Sequence, residues 1–165
     1  MSWFRELKAK EVRVMRFPTF AALVSAALVS AVSADLSAQD IRRYTNPRSA
    51  ADSTALPFSG AVLVGNTLYL SGTIGLDENQ QVPSTPEAEA RLVLNSMQST
   101  LEAAGMTMDD LVSVQVFCSD VAHYAAFNAV YRTYFTREFP ARAFVGAGTL
   151  LFDARFEVQG IAVKR

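Results

Sequence analysis

The chain has 165 residues, enough for one domain, and its composition, 50% hydrophobic and 19% charged, is that of a globular protein. Fifteen Lys and Arg residues against 16 Asp and Glu leave no basic surplus of the kind that attracts nucleic acid. Cys118 is the single cysteine, which excludes an internal disulfide and a Cys-rich metal site, and His123 is the single histidine, which argues against a His-based metal centre.

The first 34 residues have the pattern of an N-terminal extension and a signal peptide. Basic residues precede a charge-free run over 17–34, and Val32-Ser33-Ala34 suits cleavage after Ala34. An uncleaved anchor is the alternative, but the run is at the short limit for a bilayer span and contains Pro18. We therefore expect a periplasmic or secreted protein without a stable membrane anchor. Cleavage removes five basic and two acidic residues and leaves a net charge of −4.

A polar linker at 35–40 leads into a domain over 41–165, whose first element is a short strand at 41–44. Two apolar runs then flank the dipeptide Gly65-Asn66. Their spacing predicts a β-hairpin formed by strands at 61–64 and 67–71.

The clearest helix follows the hairpin. Thr85-Pro86 provides a cap and a first-turn proline, and Gly105 provides a C-terminal stop. Between them, apolar residues recur at helical spacing: Ala90, Leu94, Met97, Leu101 and Ala104.

The remaining elements complete an α+β pattern. A strand at 111–117 places Val112, Val114 and Val116 on one face, and Asp120 caps a second helix over 121–135. Two more strands are predicted at 142–149 and 155–163. This order of elements predicts one sheet with two helices on one face.

Two charged residues are the candidates for chemistry. Arg142 follows Phe139-Pro140-Ala141 and opens an otherwise apolar strand, where a guanidinium needs solvent or a partner. Glu157 lies on the polar face of the last strand. A fixed guanidinium that faces a carboxylate on a neighbouring strand could hold a small carboxylate and a water molecule together. From the pattern alone, an ordinary solvated face is the favoured alternative.

Short segments along the whole domain form a recognisable set. They are Val64-Gly65-Asn66, Ser71-Gly72, Leu101-Glu102-Ala103-Ala104-Gly105, Val116-Phe117 with Asp120, Phe127-Asn128-Ala129-Val130-Tyr131, Phe139-Pro140-Ala141-Arg142, and Phe156-Glu157-Val158 with Ile161-Ala162-Val163. This set resembles the RidA/YjgF family of enamine/imine deaminases. The Pro-Ala-Arg element and its spacing to Glu157 are the most specific part.

The resemblance implies a chorismate-mutase-like α+β fold: a six-stranded, mainly antiparallel sheet with two helices on one face, assembled as a homotrimer with sites at the subunit clefts. It implies hydrolysis of 2-aminoacrylate and 2-iminopropionate to a 2-keto acid and ammonia, without metal or cofactor. Arg142 would bind the substrate carboxylate, and Glu157 would orient a water molecule as general acid/base. Ser71 and Asn128 would line the cleft, and Gly72 would let the backbone approach the ligand.

Two departures from the family pattern affect the expected pocket. Phe58 stands where the family has a Tyr, and Phe144 where many members have a Cys. A more apolar and narrower pocket is expected to change the substrate range or the rate. A trimeric module that binds small carboxylates without turnover is therefore the alternative function. Ribonuclease activity is a third possibility, which the net charge of −4 disfavours because RNA is a polyanion.

Overall fold

The computed structural model describes residues 42–45 and 56–165, which contain six strands and two α-helices. The strands are β1 (Arg42–Thr45), β2 (Ala61–Val64), β3 (Thr67–Ile74), β4 (Leu111–Cys118), β5 (Ala141–Gly146) and β6 (Phe156–Val163), and the helices are α1 (Pro86–Ala103) and α2 (Tyr124–Tyr131). The predicted extension, signal peptide and linker lie outside the described residues.

All six strands form one sheet in the order β1-β2-β3-β6-β4-β5. Each neighbouring pair is antiparallel except β4 and β5, which run parallel. The predicted α+β fold with a six-stranded, mainly antiparallel sheet is therefore confirmed. The hairpin is confirmed as well, because β2 and β3 pair directly across Gly65-Asn66.

One hydrophobic core joins both helices to one face of the sheet. Alternate residues of β6 are buried in it, among them Phe156 and Val158, while Glu157 between them stays partly exposed. Four of the five predicted apolar positions are buried in α1, and the fifth, Ala104 just after the helix, is partly buried. The Thr85 side chain accepts a hydrogen bond from the Ala88 N–H, which confirms the predicted cap. The sheet therefore has a covered face under the helices and an open face on its other side.

The second helix is shorter than the predicted range of 121–135. It begins with a 3-10 turn at Val121–His123, continues as α2, and ends in another 3-10 turn at Arg132–Tyr134. Asp120 caps the first turn by accepting a hydrogen bond from the Ala122 N–H at 2.8 Å. At the other end, the Thr133 hydroxyl donates to the Val130 carbonyl at 2.7 Å, a local bond that competes with regular helix.

Two strand details also differ from the prediction. The expectation that Val112 shares a face with Val114 and Val116 is wrong, because the register with β6 shifts between Leu111 and Ser113 and leaves Val112 47% exposed. The strand predicted at 142–149 ends at Gly146, before Gly148 takes a left-handed conformation with φ of 73°.

None of the helices in the described part of the chain has the length and apolar character that a membrane crossing requires.

Candidate functional site

A β-bulge in β3 brings Ser71 and Gly72 beside Glu157. Leu70 pairs with Gly160 and Thr73 with Val158, so Ser71 and Gly72 together stand opposite a single residue of β6. The Glu157 carboxylate lies directly against Gly72, and a Cβ at this position would overlap its Oε1 atom. Any side chain larger than that of glycine would therefore displace the carboxylate from this position. We call Ser71, Gly72 and Glu157 the carboxylate cluster.

The hydroxyl proton of Ser71 already forms a hydrogen bond to the backbone. Its Oγ donates to the Ser59 carbonyl at 2.5 Å, and its N–H donates to the Gly60 carbonyl at 3.0 Å. The oxygen keeps its lone pairs, so toward a ligand Ser71 can accept a hydrogen bond but not donate one. Phe58, one residue before Ser59, is 57% exposed and has no hydroxyl to offer.

A buried ion pair holds the strand that carries Glu157. Glu89 of α1 is completely buried, and its Oε1 accepts hydrogen bonds from the N–H groups of Arg155 at 2.6 Å and Phe156 at 3.0 Å. Its Oε2 accepts from Arg155 Nη1 at 2.9 Å. The carboxylate thus fixes the two residues immediately before Glu157, whose own carboxylate has no hydrogen-bond or ion-pair partner among the described residues.

Arg142 is held among aromatic side chains at the edge of the sheet. Its Nη2 donates to Asn128 Oδ1 of α2 at 2.7 Å, and its guanidinium carbon lies 4.6 Å from the centre of the Tyr131 ring. Phe144 lies on the same side of β5, with its ring centre 5.7 Å from that carbon. One hydrogen bond and the stacking orient the guanidinium, and its other N–H groups remain for a ligand. We call Arg142, Asn128 and Tyr131 the arginine cluster.

A cavity of about 250 Å³ opens beside the arginine cluster. Its wall consists of Asn128, Tyr131, Arg132, Phe139, Pro140 and Arg142. Phe144 is not part of this wall: its ring packs against Tyr124 and Phe127, with centroids 5.0 and 5.7 Å away. The expected influence of Phe144 on the pocket is therefore indirect, through Arg142.

The two clusters lie on opposite faces of the sheet. Arg142 pairs with Val114, which is buried under the helices, whereas Glu157 pairs with Phe117, three residues further along β4. Side chains alternate between faces along a strand, so Arg142 points to the covered side and Glu157 to the open side. The expectation that they face each other from neighbouring strands is wrong within one chain, because β4 separates β5 from β6.

Two residues of this region, Glu89 and Tyr131, were not predicted to have a role there. Glu89 lies one position before the buried Ala90 and four before the buried Val93. An acid among these apolar positions of α1 is the sequence signal that could have placed Glu89 on the buried side of the helix. Tyr131 was named only as the last residue of the family segment Phe127-Asn128-Ala129-Val130-Tyr131. Its hydroxyl is buried without a hydrogen-bond partner in the described region, and burial raises its pKa to about 12. No cluster of three metal-binding side chains occurs in the described residues.

Comparison with known proteins identifies the class to which this fold and these clusters belong. The profile of the family described as "Endoribonuclease L-PSP" matches residues 48–164. The 2-iminobutanoate/2-iminopropanoate deaminase of Dermatophagoides farinae is 39% identical over 109 residues, 65% of this chain and 85% of that protein. The human protein of the same name is 36% identical over 110 residues, 66% of this chain and 80% of its own length.

Solved structures give the same result. The E. coli YjgF gene product superposes with a TM-score of 0.63 at 35% identity, over 66% of this chain and 89% of that one. E. coli TdcF with bound serine superposes with a TM-score of 0.64 at 28% identity, over 67% and 91% of the two chains. The chain therefore belongs to the endoribonuclease L-PSP family, also called the RidA/YjgF family.

Proposed function

We propose that the protein is a hydrolytic deaminase of reactive 2-imino acids and their enamine tautomers, which it converts to 2-keto acids and ammonia. Relatives that are 36 to 39% identical carry the name 2-iminobutanoate/2-iminopropanoate deaminase. The observation that carries the proposal is the pair of prepared clusters: an oriented guanidinium in one, and in the other a carboxylate without an internal partner, seated against a glycine.

The chemistry of each group fits one step of imine hydrolysis. Arg142 would hold the substrate carboxylate through parallel N–H···O bonds, each charge-assisted contact contributing about 1.5 to 3 kcal/mol. Glu157 would take a proton from water as the water oxygen bonds to the imine carbon, and the imine nitrogen would be protonated. Cleavage of the C–N bond in the resulting carbinolamine then releases ammonia and forms the keto group. Ser71 Oγ would accept a hydrogen bond from the imine N–H.

We propose further that each site combines the arginine cluster of one chain with the carboxylate cluster of another, in a homotrimer with three subunit clefts. The opposite orientation of Arg142 and Glu157 supports this arrangement, because one chain cannot present both groups to the same small molecule. A cyclic assembly, in which each subunit meets the next through two different surfaces, supplies both clusters to every cleft.

The test is hydrolysis of an imine generated in situ by an amino-acid oxidase, with ammonia or keto-acid release measured against buffer. Wild type is expected to accelerate release, and Arg142→Ala and Glu157→Ala to abolish the acceleration. Equal rates for wild type and both variants would exclude the function.

Mixing the two inactive variants tests the shared site. When equal amounts of Arg142→Ala and Glu157→Ala chains are unfolded and refolded together, about one quarter of the sites in a random cyclic trimer regain both groups. Activity near that fraction supports the shared site. If each site were built from one chain, the mixture would stay as inactive as its components.

A binding module without turnover is the second candidate. Phe58 favours it: this residue precedes Ser59, whose carbonyl bonds to Ser71, and its exposed ring offers no hydroxyl to a reacting substrate. The relative TdcF has been crystallised with bound serine, itself a small carboxylate. Titration calorimetry with 2-keto acids that shows binding, together with no turnover above buffer hydrolysis, would select this alternative.

Export remains a proposal that rests on residues 1–34. Cleavage after Ala34 would leave a chain that begins at Asp35. Expression of the full chain in a bacterium, followed by fractionation and mass measurement, would detect that product in the periplasm or medium. A protein of full mass in the cytoplasm would contradict the proposal.

A further inference from the structure

The cavity beside Arg142 contains a second guanidinium and no acidic side chain in its wall. Arg132 and Arg142 both line it. Arg132 follows Asn128 by four residues, one helical turn, and therefore lies on the side of the helix from which Asn128 reaches Arg142. Two positive charges around one concave space favour a ligand that carries two negative charges.

Arg132 has no competing role within the described residues. Arg132 is exposed, and no carboxylate among the described residues lies within 4.0 Å of its guanidinium, the limit for an ion pair. A cation in the last turn of a helix complements the helix dipole, which accounts for a basic residue at this end but not for its place in a cavity wall. The guanidinium is thus available to a ligand.

Tyr131 contributes an unsatisfied polar group next to the same cavity. Tyr131 lines the same cavity, and its hydroxyl, which solvent does not reach, is a donor without a partner in the described part of the chain. Buried hydroxyl groups nearly always have hydrogen-bond partners. With its pKa raised to about 12 by burial, the phenol stays protonated at neutral pH and adds no negative charge beside the two guanidinium groups.

We infer that Arg132 binds a second carboxylate of the ligand and that the preferred ligands are dicarboxylic 2-imino and 2-keto acids. This inference rests on the proposed function and sharpens its substrate class, since the named relatives act on the monocarboxylic 2-iminobutanoate and 2-iminopropanoate. Arg142 binds the carboxylate next to the reacting carbon, and Arg132 binds the distal one. The cavity of about 250 Å³ lies below the range of drug-sized pockets, which suits a compact diacid.

Calorimetry with a matched pair of ligands tests the inference. We expect 2-oxoglutarate to bind the full chain about tenfold more tightly than 2-oxopentanoate, which has the same carbon chain without the distal carboxylate. Arg132→Gln is expected to remove this preference by weakening 2-oxoglutarate binding about tenfold, with a much smaller effect on 2-oxopentanoate. Arg91→Gln, which neutralises an exposed arginine of α1 outside the cavity wall, is the control and should retain the preference.

Equal affinity of the wild type for the two acids, or a preference that survives Arg132→Gln, would overturn the inference. Hydrolysis assays separate this failure from failure of the proposed function. If the imine derived from norvaline is hydrolysed without any preference for the imine derived from glutamate, the inference fails and the function stands. If the diacid binds as expected and neither imine is hydrolysed, the diacid site stands and the deaminase function fails.

Discussion

Replacement of Glu89 by Ala is expected to destabilise the domain strongly. The carboxylate is fully buried and accepts three hydrogen bonds, two from the backbone of Arg155 and Phe156 and one from the Arg155 guanidinium. Alanine leaves both N–H groups without their partner in the interior. It also leaves the guanidinium without its counter-charge, although the Pro83 carbonyl still accepts a hydrogen bond from Nη1 at 2.9 Å.

The expected loss follows from the burial of each group. Breaking a buried ion pair by removing one partner costs about 3 to 5 kcal/mol. The Arg155 side chain is 25% exposed and keeps a carbonyl partner, so solvent compensates part of its charge. We therefore expect a loss of about 3 kcal/mol in the free energy of unfolding, a large share of the roughly 5 to 15 kcal/mol that stabilise a domain.

Urea unfolding of the full chain at fixed protomer concentration measures this loss, since the stability of an oligomer depends on concentration. Glu87→Ala is the matched control, because Glu87 is an exposed acid in the same first turn of α1. It is expected to change stability by less than about 0.5 kcal/mol, as for surface substitutions generally. A loss below about 1 kcal/mol for Glu89→Ala would refute the reasoning, because it would fall under the cost of even one unsatisfied buried donor.

Three further predictions concern the two clusters. Gly72→Ala should lower kcat/KM about a hundredfold with little loss of stability, because the new Cβ displaces the Glu157 carboxylate. Kinetics and unfolding of this variant check both effects, and an unchanged kcat/KM would contradict the prediction. Asn128→Ala should raise KM about tenfold and leave kcat nearly unchanged, because the 2.7 Å hydrogen bond orients Arg142 for binding rather than for chemistry. Steady-state kinetics with the imine substrate test this prediction, and a loss confined to kcat would count against it. Burial raises the pKa of Tyr131 from 10.0 to about 12, so the stability due to its neutral phenol is complete below pH 10 and is lost as the pH rises toward 12. Thermal unfolding of Tyr131→Phe should therefore show a smaller loss of stability between pH 10 and pH 12 than wild type. Parallel curves of stability against pH for the two proteins would argue against this prediction.

The fold was predictable because its signals are local. The hairpin dipeptide Gly65-Asn66, the cap at Thr85 and the alternation in β6 each depend on a few neighbouring residues, and all three are observed. The exposure of Val112 was not predictable from alternation, because a bulge is defined by the partner strand. The division of the second helix into a 3-10 turn, α2 and another 3-10 turn was not predictable from the apolar spacing either. It depends on local hydrogen bonds, such as that of Thr133, which compete with regular helical hydrogen bonds.

Candidate residues for the site follow from the sequence, whereas their geometry does not. The resemblance pointed to Arg142 and Glu157, and the structure brings Asn128 to the first and Gly72 to the second. Their separation depends on strand order, since β4 is inserted between β5 and β6. Strand order arises from long-range pairing, which short sequence patterns do not encode.

The separation of the two clusters has a physical consequence for a site that needs both charges. If Arg142 and Glu157 shared one face, an ion pair between them would compete with the substrate carboxylate for the guanidinium and with water for the carboxylate. On opposite faces of one sheet they cannot meet within a chain, so each keeps its hydrogen-bonding capacity until another surface covers it. The guanidinium is oriented by a neutral amide and aromatic rings rather than by an acid, and the carboxylate lies against Gly72 without an ion-pair partner among the described residues. A site assembled between chains can then bring the two charges together around the substrate, and the recovery of activity in mixed variants measures that step directly.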